Sequence, residues 1–321
     1  MKVLVTGGAG YVGSSLVPLL LDAGHEVTVL DALLFGGASL LGAWAHPRFR
    51  FLAGDVRDRA ALDAAVTGMD AVVHLAAIVG DPACAREPEL ARQTNLDASL
   101  ALIAAAGQAG VGRFLFASTC SNYGRMADPT SYVSEESPLA PVSLYAETKV
   151  AVEQALLAGQ GGRMVVTPLR FATVFGVSPR MRFDLTVNEF TLALLRNRHL
   201  VVFGEQFWRP YVHVRDVGRA ILLVLAAPPG QVDGEVFNVG ATSQNFQKQQ
   251  LVELIQPYAP DAIVEYVSRT EDPRDYRVSF AKITDRLGFG ITISVADGVA
   301  EVARLVESGI VADARIGAPV P

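Results

Sequence analysis

The chain has 321 residues, half of them hydrophobic, with 29 glycines and a formal net charge of -6. That composition excludes a disordered chain and supports one large or two modest domains around a substantial core. The negative balance, without a polybasic tract, gives no general attraction to nucleic acid, and two cysteines are too few for a disulfide framework or a four-sulfur metal site. The five histidines are dispersed and form no H-E-x-x-H pattern, so no metal is expected. No uninterrupted apolar run is long enough to span a bilayer, and the chain opens on "MKVLVTGGAG" with no basic leader. A cytoplasmic protein without membrane association is the expectation.

In chain order, "KVLVTG" reads as a short apolar strand running at once into a glycine-rich turn. "YVGSSLVPLLLDAGH" carries helical spacing, and Gly24 can end that helix. "EVTVLD" is a second strand, and the alternation recurs through "RFLAGD", "AVVHLAA", "GRFLFAS" and "MVVTPLR", with helical stretches such as "NLDASLALIAAAGQAG" between. Strands alternating with helices on this scale predict right-handed crossovers and a mainly parallel sheet. After about Arg180 the pattern changes: "DLTVNEFTLALLRNRH", "HVRDVGRAILLVLAAP", "FQKQQLVELIQPY" and "VADGVAEVARLVESG" read as helices, "HLVVFGE" and "EVFNVG" as strands. The expected fold class is α/β, a Rossmann-type parallel sheet with a smaller, discontinuous C-terminal substrate domain. Residues 1–175 are assigned mainly to the first domain and 176–321 to the second, with segments near 208–240 interleaving with the first. The last residues, "DARIGAPVP", read as a loose tail.

"GGAGYVG" sets Gly7, Gly10 and Gly13 between strand and helix. Small residues let backbone approach a pyrophosphate, and the helix start offers free N–H groups and a favourable dipole. The triplet alone could also be a tight structural turn. Asp31, ending the next strand, favours a dinucleotide, because its carboxylate can accept two ribose hydroxyls and would repel the additional phosphate of NADP. NAD is therefore the expected cofactor. Asp55 in "GDVRD" either caps the following helix or meets adenine with Val56 packed nearby.

Two further stretches carry chemistry. "FASTCSNYG" follows an apolar strand with an unbroken polar row, Ser118 to Tyr123. "YAETK" puts Tyr145 and Lys149 four residues apart on one helical face. Taken alone the pair could be an exposed helix contact. Beside a bound dinucleotide, nearby positive charge favours a phenolate that removes a sugar hydroxyl proton.

Together, "TGGAGYVG", Asp31, "GDVRD", "HLAA", "TN" at Thr94 and Asn95, "YAETK", "RPYVHVRD" and "FNVG" stand in the order of the extended short-chain dehydrogenase/reductase family, which the chain resembles over nearly its whole length. Its nucleotide-sugar epimerases, such as UDP-galactose 4-epimerase, are the most similar group. The resemblance implies Thr119, Tyr145 and Lys149 as catalytic residues, a homodimer, and a UDP-linked substrate. For the cofactor it implies Gly7, Gly10, Tyr11, Val12, Gly13, Asp31, Asp55, Val56, Leu75, Ala76, Ala77, Asn95, Ser118, Tyr145, Lys149 and Pro168. Thr119 resembles the hydroxyl that holds the reacting sugar oxygen; a strand-end cap is its plain alternative. Tyr123 would orient the loop.

Departures narrow the reaction the resemblance implies. Sugar 4,6-dehydratases of the family commonly place Asp-Glu directly after the catalytic threonine, and here Cys120 and Ser121 stand there. An epimerase needs only reversible oxidation at one carbon and tolerates small residues. A nucleotide-sugar 4-ketoreductase, or an NAD-responsive binding protein without turnover, is the alternative. For the substrate the resemblance implies Thr119, Cys120, Thr173, Asn188, Arg209, Arg269, Asp272 and Tyr276. The arginine fork suits diphosphate oxygens. Taken singly each arginine reads as a surface ion-pair partner, and Arg274 competes within "RTEDPRDYR". Thr173 replaces an asparagine common in relatives, Asn188 either contacts phosphate or caps its helix, and Tyr276 either gates the sugar or packs. "RMRF", Arg180 to Phe183, either adds positive charge or is a solvated helix entrance. His74 and His213 read as structural, and Asp216 as a loop support or helix cap.

Overall fold

The computed structural model describes residues 1–126, 128, 131–269 and 275–311. Its strands are β1 Lys2–Thr6, β2 Glu26–Asp31, β3 Phe49–Ala53, β4 Ala71–His74, β5 Arg113–Thr119 and β6 Val165–Phe171. The later ones are β7 Thr173–Phe175, β8 His199–Phe203, β9 Trp208–His213, β10 Phe237–Val239, β11 Asn245–Gln247 and β12 Ile263–Val267. The helices of the first half are α1 Tyr11–Asp22, α2 Arg59–Val66, α3 Asp81–Arg86, α4 Pro88–Arg92, α5 Ala98–Gln108 and α6 Leu144–Ala155. Those of the second are α7 Thr186–Leu192, α8 Val214–Ala226, α9 Pro229–Val232, α10 Lys248–Ile255, α11 Ala281–Leu287 and α12 Val295–Glu307. None of these described helices is long and apolar enough to cross a membrane.

Alternation along each strand sends side chains to both faces of the first sheet, so both faces must be covered. Val3, Val5, Val27, Val29 and Leu115 pack under α1 and α8 through Leu16, Leu20, Val217 and Ile221. Leu4, Leu30, Val72, Phe114 and Phe116 pack on the opposite face under α2, α5 and α6 through Leu62, Leu102 and Val152. The result is a seven-stranded parallel sheet in the order β10-β6-β5-β4-β1-β2-β3, the expected Rossmann-type architecture. Its order reverses between β1 and β4, and the carboxyl ends of strands at such a reversal form the ligand crevice of open α/β sheets.

The segment from "EVFNVG" supplies β10, which pairs with β6 at the far edge of this sheet. A smaller region holds two more sheets, β11-β9-β7 and β12-β8. Its core of Phe175, Val187, Phe190, Leu200, Val202, Leu251 and Val299 is closed by α7, α10 and α12.

Candidate functional site

The crevice is lined first by the turn after β1. Gly7 has φ +75, and a Cβ there would stand 2.8 Å from the backbone of Ala76, so the loops after β1 and β4 can touch only because this residue is glycine. A side chain at Gly13 would collide with the Gly7 carbonyl oxygen, which is why α1 starts flush against the turn. Gly10 is the N-cap of α1, and no side chain caps that first turn. Its backbone donors at Tyr11, Val12 and Gly13 are thus free of side-chain competition, as an anion site requires. Tyr11 is buried, its hydroxyl donating to the Gly176 carbonyl at 2.7 Å.

Asp31 ends β2 with each carboxylate oxygen accepting one backbone N–H, from Leu33 at 2.8 Å and Ala9 at 2.9 Å. Leu33 itself sits in the left-handed region with φ 54. Each oxygen keeps a lone pair for a hydroxyl of a ligand. Asp55 accepts from the Arg57 backbone at 2.9 Å and pairs with its guanidinium, which holds the carboxyl below its ordinary range. The cap of α2 is Asp58 instead, accepting from Ala60 N. Val56 is buried beside them.

After β4, Leu75, Ala76 and Ala77 run along the crevice, and Asn95 fixes that loop: its Oδ1 accepts from Ile78 N at 2.8 Å and its Nδ2 donates to Ile78 O at 2.9 Å. Pro168 lies mid-strand in β6 opposite Phe116, three residues short of the strand end. Its register places it within the sheet and not at the edge where Asp31 and Thr119 stand.

Thr119 is the last residue of β5, and its Oγ1 accepts from Ser121 N at 3.1 Å, capping the 3-10 turn Cys120–Tyr123. That bond occupies a lone pair and leaves the hydroxyl hydrogen to donate elsewhere. Ser118 points to the other face, donating to Glu153 Oε2 at 2.9 Å. The Cys120 thiol is buried, directed at the Arg170 carbonyl, and pushed up by burial. Packed on β5 and this turn is α6, whose N-cap Ser143 accepts from Ala146 N. Tyr145 stands in its first turn, half-buried; desolvation raises its phenol, opposed by the positive charge of Arg182. Lys149 is buried with its Nζ 4.7 Å from the Phe116 ring centroid and 5.9 Å from that of Tyr145. Burial lowers its pKa to about 8, so it loses its proton far more readily than a surface lysine.

Toward the smaller region, Arg209 on β9 is buried with its guanidinium 5.6 Å from the Tyr276 ring centroid and donates to Trp208 O at 2.7 Å. Thr173 on β7 is the register partner of Tyr211, two residues from Arg209. Arg269 lies over the Phe203 ring at 5.1 Å. Asn188 is fully buried, with Oδ1 accepting from Gly176 N at 3.0 Å and Nδ2 donating to Arg182 O at 2.9 Å, so it ties two loops together and caps nothing. Asp272, Arg274 and the segment 313–321 lie outside the described residues.

Glu153 and Arg170, a buried ion pair beneath the Thr119 turn, are not among the residues expected from sequence, and Arg182 is expected there only as a general charge. Glu153 carries a legible signal, since it continues the Tyr145–Lys149 spacing by four. Arg170 carries none, because its partner is seventeen residues away.

Residues 3–240 match the NAD dependent epimerase/dehydratase family. The chain belongs to that family. A dTDP-glucose 4,6-dehydratase of Actinoplanes sp. is 33% identical, covering 94% of this chain and 96% of its own. The crystal structure of the dTDP-glucose 4,6-dehydratase DesIV from Streptomyces venezuelae, with NAD and TYD bound, superposes with a TM-score of 0.85 at 31% identity, covering 96% of this chain and 97% of that one. UDP-glucose 4-epimerase of Thermotoga maritima, with UDP-glucose, gives 0.85 at 28% identity over 97% and 100%. As a member of the family the chain binds NAD. The glycine turn without side chains, the uncapped start of α1 and the two-oxygen acceptor at Asp31 fit that cofactor.

Proposed function

We propose that the chain is an NAD-dependent nucleotide-sugar 4-epimerase, interconverting UDP-glucose and UDP-galactose or related UDP-hexoses through a 4-keto sugar. When bound, NAD supplies the hydride acceptor and a positive charge. Gly7, Gly10, Tyr11, Val12 and Gly13 would hold its pyrophosphate and Asp31 a ribose, with Asp55, Val56, Leu75, Ala76, Ala77 and Asn95 along its length. The Tyr145 phenol would take the proton of the sugar 4-hydroxyl. Lys149 favours the phenolate by its charge when protonated, and its lowered pKa makes that charge sensitive to mildly alkaline pH. Thr119 would donate its hydroxyl hydrogen to the sugar oxygen. Arg209, with Thr173 and Tyr276, would hold the substrate, and Arg269 and Asp272 its nucleotide end. Residues 1–175 would bind mainly cofactor and 176–321 mainly substrate, with 208–240 interleaved, in a cytoplasmic homodimer.

One observation carries the choice of epimerisation. The two positions after Thr119, where elimination of water would call for a carboxylic acid and a carboxylate, hold a buried thiol facing Arg170 O and the short hydroxyl of Ser121. Burial keeps that thiol protonated, so it supplies no base. The dehydratase relatives make 4,6-dehydration the second reading.

Purified protein should be assayed with UDP-glucose and UDP-galactose in both directions, and with dTDP-glucose for a 4-keto-6-deoxy product. The expected result is interconversion without net NADH accumulation. Folded, NAD-loaded Tyr145→Phe should lose about 10²–10⁴ of turnover, the usual worth of general acid–base assistance, and Thr119→Val should show a companion loss. Product that has lost water, or obligatory consumption of added NADPH, would overturn the epimerase.

A further inference from the structure

We propose that Ser118 and Glu153 are positioning residues, joined in a strut that fixes the Thr119 hydroxyl relative to the Tyr145–Lys149 face of α6. The inference rests on the catalytic roles proposed above and adds to them how three side chains from two elements are kept in register.

Tyr145, Lys149 and Glu153 follow one another at intervals of four, so they form one stripe along α6. Lys149 and Glu153 are both buried, the stripe facing the sheet. At its third position Glu153 reaches the strand that carries Thr119: Ser118 Oγ donates to Glu153 Oε2 at 2.9 Å. Ser118 precedes Thr119 directly, and the two point to opposite faces of β5. Fixing one therefore fixes the peptide from which the other projects. Ser118 is further held as an acceptor by Asn122 Nδ2 at 3.1 Å, within the same polar turn.

Glu153 is itself immobilised. Arg170, the register partner of Ser118 on β6, donates to it from both Nε and Nη2. Arg170 Nη1 also donates to the Tyr123 hydroxyl at 2.9 Å, and that hydroxyl donates to Asn238 Oδ1 on β10 at 2.7 Å. The side chains of Arg170 and Glu153 are only 4% and 1% exposed. A buried ion pair is seldom more stabilising than apolar side chains of the same volume, whereas its hydrogen bonds demand one geometry. Here that geometry joins α6, β5, β6 and β10 below the Thr119 turn. A shift of about 1 Å between reacting groups can cost on the order of 10²-fold in rate, so a strut of this kind acts on turnover and leaves affinity alone.

Ser118→Ala tests this while leaving the Arg170–Glu153 pair in place; Ser118→Cys, which fills the volume but bonds weakly, serves if the alanine variant loses its fold. We expect kcat to fall about 10- to 100-fold with KM and NAD affinity unchanged. Added to Thr119→Val, Ser118→Ala should cause no further loss, because both act through the same hydroxyl. Additive losses would show a merely structural role and overturn the proposal, as would an unchanged kcat or weakened NAD binding, which would place Ser118 against the cofactor. Amide hydrogen exchange of residues 119–123 gives an arm independent of substrate: faster exchange in the variant supports the strut and unchanged exchange overturns it. Wild-type protein inactive on both sugars would remove UDP-glucose and UDP-galactose as the substrates, and the exchange measurement would still decide the strut.

Discussion

Asp31 illustrates how a single side chain carries two duties. Its oxygens hold the amides of Ala9 and Leu33, which shape the turn, and they face the crevice where a ribose would bind. Asp31→Ala should therefore weaken NAD at least about tenfold, since hydrogen bonds to charged groups are worth about 1.5–3 kcal/mol each. NADP should lose less or gain, because its additional phosphate no longer meets a carboxylate. Titration with both cofactors checks this, and unchanged relative affinities would remove Asp31 from cofactor choice. Cys120, Ser118 and Asn188 show the converse: each side chain is turned into the protein and already bonded there. A sequence gives the residue type at a position but not the direction of its side chain.

Between elements, His74 is the informative joint. It ends β4, meets Thr6 Oγ1 of β1 at 2.7 Å through Nδ1, and meets Ser99 Oγ of α5 at 2.8 Å through Nε2. Ser99 gives its hydrogen to Asn95 O, so it must accept from Nε2–H, and Thr6 must then donate to a bare Nδ1. Burial, with the charge of Lys149, lowers the imidazole to about 3, so it is neutral in the folded protein. An unfolded histidine titrates near 6.5. Between these values the unfolded chain binds the additional proton, so stability falls as pH drops from about 6.5 toward about 3. His74→Gln should flatten that part of the profile, measured as the difference in urea midpoint between variant and wild type across pH 4–7. An unchanged slope would assign the acid sensitivity to other groups.

Across the molecule, a buried carboxylate helps tie the C-terminal segment to the helices that cover the first sheet. Asp216 on α8, which packs against α1, accepts from Thr292 N, Thr292 Oγ1 and Ile293 N and pairs with Arg219. Asp216→Asn replaces an acceptor oxygen by a donor facing donors, and should cost about 2–4 kcal/mol of stability. Denaturant unfolding would show it, and a change under about 0.5 kcal/mol would mean the segment is held by apolar packing instead.

The alternation of strands and helices, the glycine turn and the acid at the end of β2 are patterns among near neighbours in the chain. They were enough for the Rossmann-type sheet and for NAD. Glu153 was within reach of the same reasoning, four residues beyond Lys149. The pairing of Arg170 with Glu153 and the clamp of Asn188 on Gly176 and Arg182 were not. These contacts arise when the strand order folds separate segments together, and their donors and acceptors are chosen by burial. A buried polar group must find a partner wherever the packed chain supplies one, and local spacing does not encode which partner that is.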